Sequence, residues 1–272
     1  MDNSLWLAFG LTLFAGLSTS IGSIIALLSK KTNKTFLSLG LGFSAGVMIY
    51  VSMIEIFFKA QESLVGELGE KMGSWITVIS FFGGMLLINL IDKFIPSPES
   101  PQEIEDVENI IENEKKTVMK NDKKLLRMGV LTALAVAIHN FPEGFATLIS
   151  ALKDPALGLT IAIAIAIHNI PEGIAVSIPI YYATGSRKKA FLYSFLSGLA
   201  EPIGAIIGYL ILAPFMTDTV FGIVFAAVGG IMVFISLDQL LPTAREYGGH
   251  RVSVFGSIYG MIVMAVSLLL LV

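Results

Sequence analysis

The chain has 272 residues, of which 54% are hydrophobic and only 14% are charged, and it contains no cysteine. These fractions lie outside those of soluble domains, and the missing cysteines exclude disulfides and thiolate metal ligands. The formal net charge of −3 identifies no partner by itself, and we expect no nucleic acid to bind. The composition instead predicts an integral membrane protein whose first partner is the lipid bilayer.

Apolar stretches of about twenty residues recur along the whole chain, and each is long enough to cross roughly 30 Å of hydrocarbon as a helix. We therefore predict an all-α fold with one transmembrane domain over residues 1–272. The eight predicted transmembrane helices cover residues 5–28, 35–58, 74–94, 128–152, 157–182, 190–212, 220–241 and 253–272.

The distribution of basic residues gives these helices a direction. Fifteen of the 18 Lys and Arg residues lie in or beside the loops that precede predicted helices two, four, six and eight. Lys and Arg accumulate on the cytoplasmic side of a membrane, so we predict that both termini lie outside. One of these cytoplasmic loops, residues 96–122, has mixed charge and three prolines, which predict disorder.

Two near-copies of one six-residue string lie inside predicted helices four and five. The strings are HNFPEG at 139–144 and HNIPEG at 168–173. Residues four apart share a helix face, so each histidine lies one turn before the glutamate of its own string. A short loop near Lys153 and Asp154 joins the two helices and places both strings at similar depth. The candidate metal ligands are therefore His139, Asn140, Glu143, His168, Asn169 and Glu172.

Each string also contains a proline, and a third carboxylate with a proline, Glu201-Pro202, lies in predicted helix six. Proline lacks an N–H donor, and its ring pushes against the preceding turn. We therefore predict that Pro142, Pro171 and Pro202 break their helices beside the polar residues. Broken backbone is tolerated at membrane depth where protein or water covers it, as in the binding sites of transporters.

Two histidines, two asparagines and three glutamates at one depth, with no basic residue nearby, predict a bound cation. A carboxylate at the bilayer centre costs about 2.5–3.5 kcal/mol unless it is neutralised. Imidazole with carboxylate suits zinc, iron, manganese, cobalt and nickel, whereas calcium and magnesium prefer oxygen ligands. Zinc or ferrous iron fits best. If two glutamates bridge, one ion takes His139, Glu143, His168 and Glu172, and a second takes Asn140, Glu143, Asn169, Glu172 and Glu201.

At these residues the chain resembles the Zrt/Irt-like (ZIP) family of divalent metal transporters, and most closely its bacterial zinc uptake branch. The resemblance covers all eight predicted helices, and two HNxPEG strings in consecutive helices are highly specific for it. It implies a prokaryotic, multi-pass transporter of the cell membrane and not an enzyme. Its substrate would be Zn²⁺, with Fe²⁺, Mn²⁺, Co²⁺ and Cd²⁺ as further candidates, moved into the cytoplasm by alternating access through a two-metal site on helices four, five and six.

The resemblance also implies an architecture and a path. Helices one to three and six to eight form an inverted pair around central helices four and five, and some members are dimers, so a homodimer is expected. Ser52 and Glu55 match the family pattern near the outer metal entrance. Asp238, Glu246 and His250 are candidates for the inner exit. Unlike many members, this chain has no histidine-rich loop between helices three and four.

Two other functions use the same kinds of residue. An intramembrane metalloprotease holds zinc with histidine and carboxylate and uses it to activate water. The sequence argues against this function, because it lacks HExxH and a proline separates each candidate ligand pair. A proton relay, or a core held together by tightly bound metal, would use the buried groups without transporting metal.

Overall fold

The computed structural model describes residues 3–28, 33–94, 110–153, 155–212, 215 and 217–270, and every regular element in these ranges is helical. The composition predicted this all-helical fold. The α-helices within the described ranges are α1 (Asn3–Leu27), α2 (Lys34–Val51), α3 (Phe57–Leu68), α4 (Glu70–Phe94), α5 (Ile110–Lys153), α6 (Pro155–Thr184), α7 (Arg187–Ile207), α8 (Asp218–Ile235) and α9 (Leu241–Leu270).

Three short π-helical turns connect or extend these helices. Ser52–Ile56 joins α2 to α3, Gly208–Leu212 extends α7, and Ser236–Leu240 joins α8 to α9. A π turn has an i to i+5 hydrogen bond and adds a residue to the helical path. Side chains beyond it therefore lie on a different face from the one that a period of 3.6 predicts.

Gly69, Gly185 and Gly249 have positive φ and separate successive helical segments, and two of them have nearly the same backbone geometry. Gly69 (φ 80°, ψ 161°) lies between α3 and α4, and Gly249 (φ 79°, ψ 170°) interrupts α9. This backbone region is accessible almost only to glycine. Within the described ranges, seven helical stretches are long and apolar enough to cross a bilayer, and the last, Asp218–Leu270, contains Gly249. Predicted helix seven and residues 253–270 of predicted helix eight fall in this last stretch.

The helix α5 begins well before the predicted start at residue 128. Because α5 starts at Ile110, the prediction of a disordered loop over 96–122 is wrong for residues 110–122, and residues 95–109 lie outside the described ranges. The sequence there is rich in Glu and Lys, which have high helix propensities. Apolar length alone does not detect a helix that continues beyond its membrane-spanning part.

The three prolines lie inside continuous helices. Pro142 is within α5, Pro171 is within α6, and Pro202 is within α7. The prediction that they break these helices is therefore wrong. A proline removes one backbone donor at its own position, and the remaining hydrogen bonds and the packing of each helix against its neighbours maintain the helix on both sides.

The helices form two groups that pack against each other. One group contains α1, α5, α6 and α7, and the other contains α2, α3, α4, α8 and α9. Within the second group α2 packs along α9 and α4 packs along α8, while the contact of α2 with α6 is the largest between the groups. Every histidine and glutamate of the two strings therefore lies in the first group.

The glycines that end the two strings lie where helix backbones touch. A Cβ atom at Gly144 would overlap the carbonyl oxygen of Glu201 in α7, and one at Gly173 would overlap the carbonyl oxygen of Thr19 in α1. The absence of a side chain lets these helices approach closely. The contacts hold α5 against α7 and α6 against α1 at the depth of the polar residues.

Candidate metal centre

The doubled string brings two imidazoles and two carboxylates together between α5 and α6. His139, Glu143, His168 and Glu172 are only 2%, 6%, 3% and 1% exposed. Each histidine lies one helical turn from the glutamate of its own string, as the spacing predicted. The neighbouring helices α1 and α7 pack against both α5 and α6.

Glu143 lies between the two imidazoles. Its Oε2 is 3.2 Å from Nε2 of His139, and its Oε1 is 3.1 Å from Nε2 of His168. Nε2 of His139 is also 3.6 Å from Oε1 of Glu172. Ligand atoms around a tetrahedral zinc ion lie about 3.3 Å apart, given Zn–N and Zn–O distances near 2.0–2.1 Å. The spacing of these atoms is therefore compatible with one zinc-sized ion.

A second group comprises the remaining predicted ligands, Asn140, Asn169 and Glu201. Asn169 donates from Nδ2 to Oε2 of Glu201 at 2.9 Å and to the carbonyl oxygen of Ala15 at 3.0 Å. Asn140 donates from Nδ2 to the carbonyl oxygen of Ser197 at 3.2 Å. Because the amide nitrogens of both asparagines donate these hydrogen bonds, their Oδ1 atoms remain available as oxygen ligands.

Many polar atoms of these two groups are buried without a hydrogen-bond partner. They include both ring nitrogens of His139 and His168, both carboxylate oxygens of Glu172, and one oxygen each of Asn140, Glu143, Asn169 and Glu201. Such atoms cost free energy unless a ligand satisfies them. Among the residues whose side-chain burial the structure describes, no lysine or arginine is buried, so a cation with an affinity for nitrogen and oxygen fits this set.

A cavity of about 490 Å³ connects the first group to the surface. His168 and Glu143 line its inner part, and Glu55 lies in its wall with its carboxylate 2.7 Å from Nζ of Lys59. The structure therefore places one predicted entrance residue, Glu55, on a route to the candidate centre. The other, Ser52, is fully buried with an unpaired hydroxyl and does not line the cavity.

The three predicted exit residues do not form one site. Glu246 and His250 line a shared surface groove of about 630 Å³. Asp238 lies outside this groove, in the π turn Ser236–Leu240, and accepts a hydrogen bond from Gln239. Glu246 is paired with Lys124 of α5 at 2.8 Å. The extra residue of the π turn changes which face carries Asp238.

Some residues around the centre were not predicted from the sequence. The carbonyl oxygens of Ala15 and Ser197 orient the two asparagines, and Ser44 donates its hydroxyl to the carbonyl oxygen of Pro171 at 2.7 Å. Backbone acceptors of this kind carry no signal in the sequence. Lys59, in contrast, follows Glu55 by four residues, a spacing that predicts an ion pair on one helix face.

Together, the apolar helices and the buried imidazole and carboxylate groups define a multi-pass membrane protein with a polar centre suited to a divalent cation. The chain belongs to the ZIP zinc transporter family, whose sequence profile matches residues 3–268.

This chain is similar to relatives named zinc transporter ZupT. It is 62% identical to the zinc transporter ZupT of Clostridium perfringens over 278 aligned residues, covering 99% of this chain and 98% of the relative. It is 62% identical to zinc transporter ZupT of Streptococcus mutans and 64% identical to that of Oceanobacillus iheyensis, with both chains covered completely in each comparison.

Proposed function

We propose that this protein takes up divalent transition metal ions into the cytoplasm, with Zn²⁺ as the main substrate. One observation carries the proposal: the imidazoles of His139 and His168 converge on the Glu143 carboxylate at the inner part of a cavity. Relatives that are 62–64% identical over nearly their whole length are named zinc transporters, which supports zinc as the substrate.

Two adjacent ion positions account for the unpaired ligand atoms. The first would be held by His139, Glu143, His168 and Glu172, and the second by Asn140, Asn169 and Glu201 with Glu143 and Glu172 as bridges. The hydrogen bond between Asn169 and Glu201 supports the second position, because it fixes the Glu201 carboxylate beside the amide oxygen. Bridging carboxylates would reduce the repulsion among the three glutamates.

The helical stretch Asp218–Leu270 accounts for two crossings, which gives eight in total with both termini outside. A straight helix of 53 residues would be about 80 Å long, more than twice the hydrocarbon thickness of a bilayer. Gly249 interrupts the stretch, with Arg245 and Arg251 close on either side. A turn at this basic segment on the cytoplasmic side agrees with the positive-inside rule.

Two repeated features support the inverted arrangement of helices around α5 and α6. A π turn beginning with serine, Ser52–Ile56, follows α2, and a second, Ser236–Leu240, follows α8. Each is followed within twenty residues by a glycine of nearly identical backbone geometry, Gly69 or Gly249. By the charge bias, the two segments run in opposite directions across the membrane.

In this orientation the cavity beside Glu143 opens to the outside, so the structure corresponds to an outward-open state of an alternating-access cycle. Two ion pairs connect the helix groups at the opposite end. Arg127 of α5 pairs with Asp92 of α4 at 2.9 Å, and Lys124 of α5 pairs with Glu246 of α9 at 2.8 Å. Metal would bind from outside, and the first helix group would then shift against the second to release it inward.

The remaining expectations concern selectivity, assembly and location. The mixed nitrogen and oxygen ligands also suit Fe²⁺, Mn²⁺, Co²⁺ and Cd²⁺ as substrates. The relatives compared above are bacterial, which supports a multi-pass protein of the bacterial cell membrane. A homodimer stays a prediction from the family resemblance.

Radioactive zinc uptake into proteoliposomes tests the function. Glu143→Ala should abolish saturable uptake while the protein still folds and inserts, whereas Glu70→Ala, an exposed glutamate at the start of α4, should transport normally. Zinc uptake at the wild-type rate in Glu143→Ala would contradict the assignment of Glu143 to the metal centre. Tight zinc retention without flux would instead indicate a structural metal, and proton current without metal would indicate a relay.

A further inference from the structure

An ammonium group lies in the mouth of the cavity that leads to the candidate centre. Nζ of Lys59 is 2.7 Å from Oε1 of Glu55, and both side chains line this cavity. Of the described residues in its wall, Lys59 is the one lysine or arginine. A tethered monovalent cation therefore occupies a carboxylate that an incoming metal ion would meet.

Lys59 lies between this cavity and the solvent. A second, more open cavity of about 500 Å³ is lined by Lys59, Glu62 and Asp218, so Lys59 and Glu62 border both cavities. Side-chain exposure falls from 51% for Lys59 to 19% for Glu55 and 8% for Glu143. Lys59 therefore lies where the second cavity meets the cavity that leads to Glu143.

The two oxygens of the Glu55 carboxylate have different surroundings. Oε1 accepts the hydrogen bond from Lys59, whereas Oε2 is buried and has no hydrogen-bond partner. A divalent ion can therefore start to bind at Oε2 while the ammonium still holds Oε1. At equal distance, a divalent ion gains twice the Coulomb energy of a monovalent ion, which favours displacement of the ammonium only by the divalent ion.

We propose that Lys59 is a specificity-determining residue of metal uptake, which competes with cations for Glu55 so that divalent ions displace it and Na⁺ or K⁺ do not. The inference rests on the proposed function, because it concerns the same cavity. An exposed ion pair four residues apart contributes little to helix stability. Because this pair lies in the mouth of the cavity, it can affect which cations reach Glu55 as well as the stability of the helix.

Zinc uptake by the full-length protein in proteoliposomes tests this role. In Lys59→Gln, which removes the charge and keeps a polar side chain, the KM for Zn²⁺ should fall about three- to tenfold at low ionic strength. The maximal rate should stay unchanged, and NaCl and KCl should inhibit uptake more strongly than in the wild type. Lys59→Arg, which retains the charge, should keep the wild-type KM and salt response.

Lys71→Gln is the matched control, because Lys71 is an exposed lysine at the start of α4 that lines neither cavity. An equal fall in KM in both glutamine variants would show a general effect of surface charge and would overturn the role of Lys59. An unchanged KM and salt response in Lys59→Gln would overturn it as well.

If the protein does not transport zinc, the uptake experiment gives a result that differs from every outcome described above. Wild-type vesicles would then take up no zinc, and equilibrium binding of Zn²⁺ to the detergent-purified variants would still test Lys59. A lower Kd in Lys59→Gln than in the wild type and Lys71→Gln supports the inference, and equal Kd values contradict it.

Discussion

Oε1 of Glu143 lies 3.1 Å from Nε2 of His168, so one carboxylate of α5 reaches across to the imidazole of α6. Its other oxygen is 3.2 Å from the imidazole of His139. Glu143 is therefore the shared member of the cluster, and it also lines the cavity, which Glu172 does not. This asymmetry distinguishes two glutamates that occupy the same position in the two strings.

Glu143→Gln should weaken zinc binding more than Glu172→Gln. Loss of the shared carboxylate removes the group between both imidazoles, and we expect the Kd to rise about 100-fold, in line with the strength of charged hydrogen-bonding groups. In Glu172→Gln the cluster of His139, Glu143 and His168 remains, so the increase should be smaller. Calorimetric titration of the purified variants measures both values, and an equal loss would contradict the central position of Glu143.

Asn169 should position Glu201 as well as supply an oxygen ligand. Asn169→Ala removes the donor to Glu201 and to the carbonyl oxygen of Ala15, and loss of such a supporting hydrogen bond typically lowers metal affinity 10–100-fold. The measurement is the Kd for Zn²⁺, with Asn89→Ala in α4 as the control. Wild-type affinity in Asn169→Ala would show that the amide neither binds the ion nor orients Glu201.

The convergence of His139, Glu143, His168 and Glu172 could be predicted from the sequence because its geometry is local. A spacing of four residues fixes which side chains share a helix face, and a short connection fixes the relative depth of α5 and α6. The hydrogen bond from Asn169 to Ala15 joins residues far apart in the chain, and backbone carbonyls have no residue type that identifies them. Such contacts depend on the packing of α1, which periodicity does not determine.

Local helix geometry also departs in places from the regular helices that the sequence pattern assumes. The π turn Ser236–Leu240, which contains Asp238, changes the face on which later side chains lie, and Asp238 does not line the groove beside Glu246 and His250. The sequence predicts a break at Pro142, and α5 is continuous there. A sequence pattern that assumes regular helices predicts neither the π turn at Asp238 nor the continuity of α5 through Pro142.

The close contact of α5 with α7 makes Gly144 sensitive to substitution. In Gly144→Ala the added Cβ would overlap the backbone carbonyl of Glu201, and overpacking of this kind costs about 1–3 kcal/mol. The melting temperature in detergent should therefore fall. Gly83→Ala is the control, because a Cβ there meets no atom within 4 Å and alanine has the higher helix propensity. An equal fall in both variants would contradict the packing argument.

Zinc binding should weaken in acid because the ligands bind metal only when deprotonated. Both histidines must be neutral to coordinate through Nε2, and a free histidine takes up its proton near pH 6.5. We expect the Kd for Zn²⁺ to rise as the pH falls from 7.5 to 5.5. In His168→Ala one competing proton is lost, so the slope of log Kd against pH should be shallower than in the wild type. Parallel slopes would show that His168 releases no proton when zinc binds.

The ion pair between Arg127 and Asp92 should favour the outward-open state. In Asp92→Asn the charge is lost while the backbone carbonyl of residue 92, which accepts a 2.7 Å hydrogen bond from Arg127, remains. Loss of this ion pair should destabilise the outward-open state by about 1 kcal/mol, which is the upper end for partly exposed pairs. Such a change would shift the equilibrium between the two states about fivefold toward the inward-open state.

The chain has no cysteine, so a single Ala146→Cys reports this equilibrium by its labelling rate with a membrane-impermeant maleimide. Ala146 lies in the wall of the cavity beside Glu143, which is called the outer cavity here. Labelling should slow in Asp92→Asn, because the outer cavity is closed for a larger fraction of the time. The double variant Asp92→Arg with Arg127→Asp, which restores the pair with reversed charges, should recover part of the rate. Unchanged labelling in Asp92→Asn would show that this pair does not hold the cytoplasmic side closed.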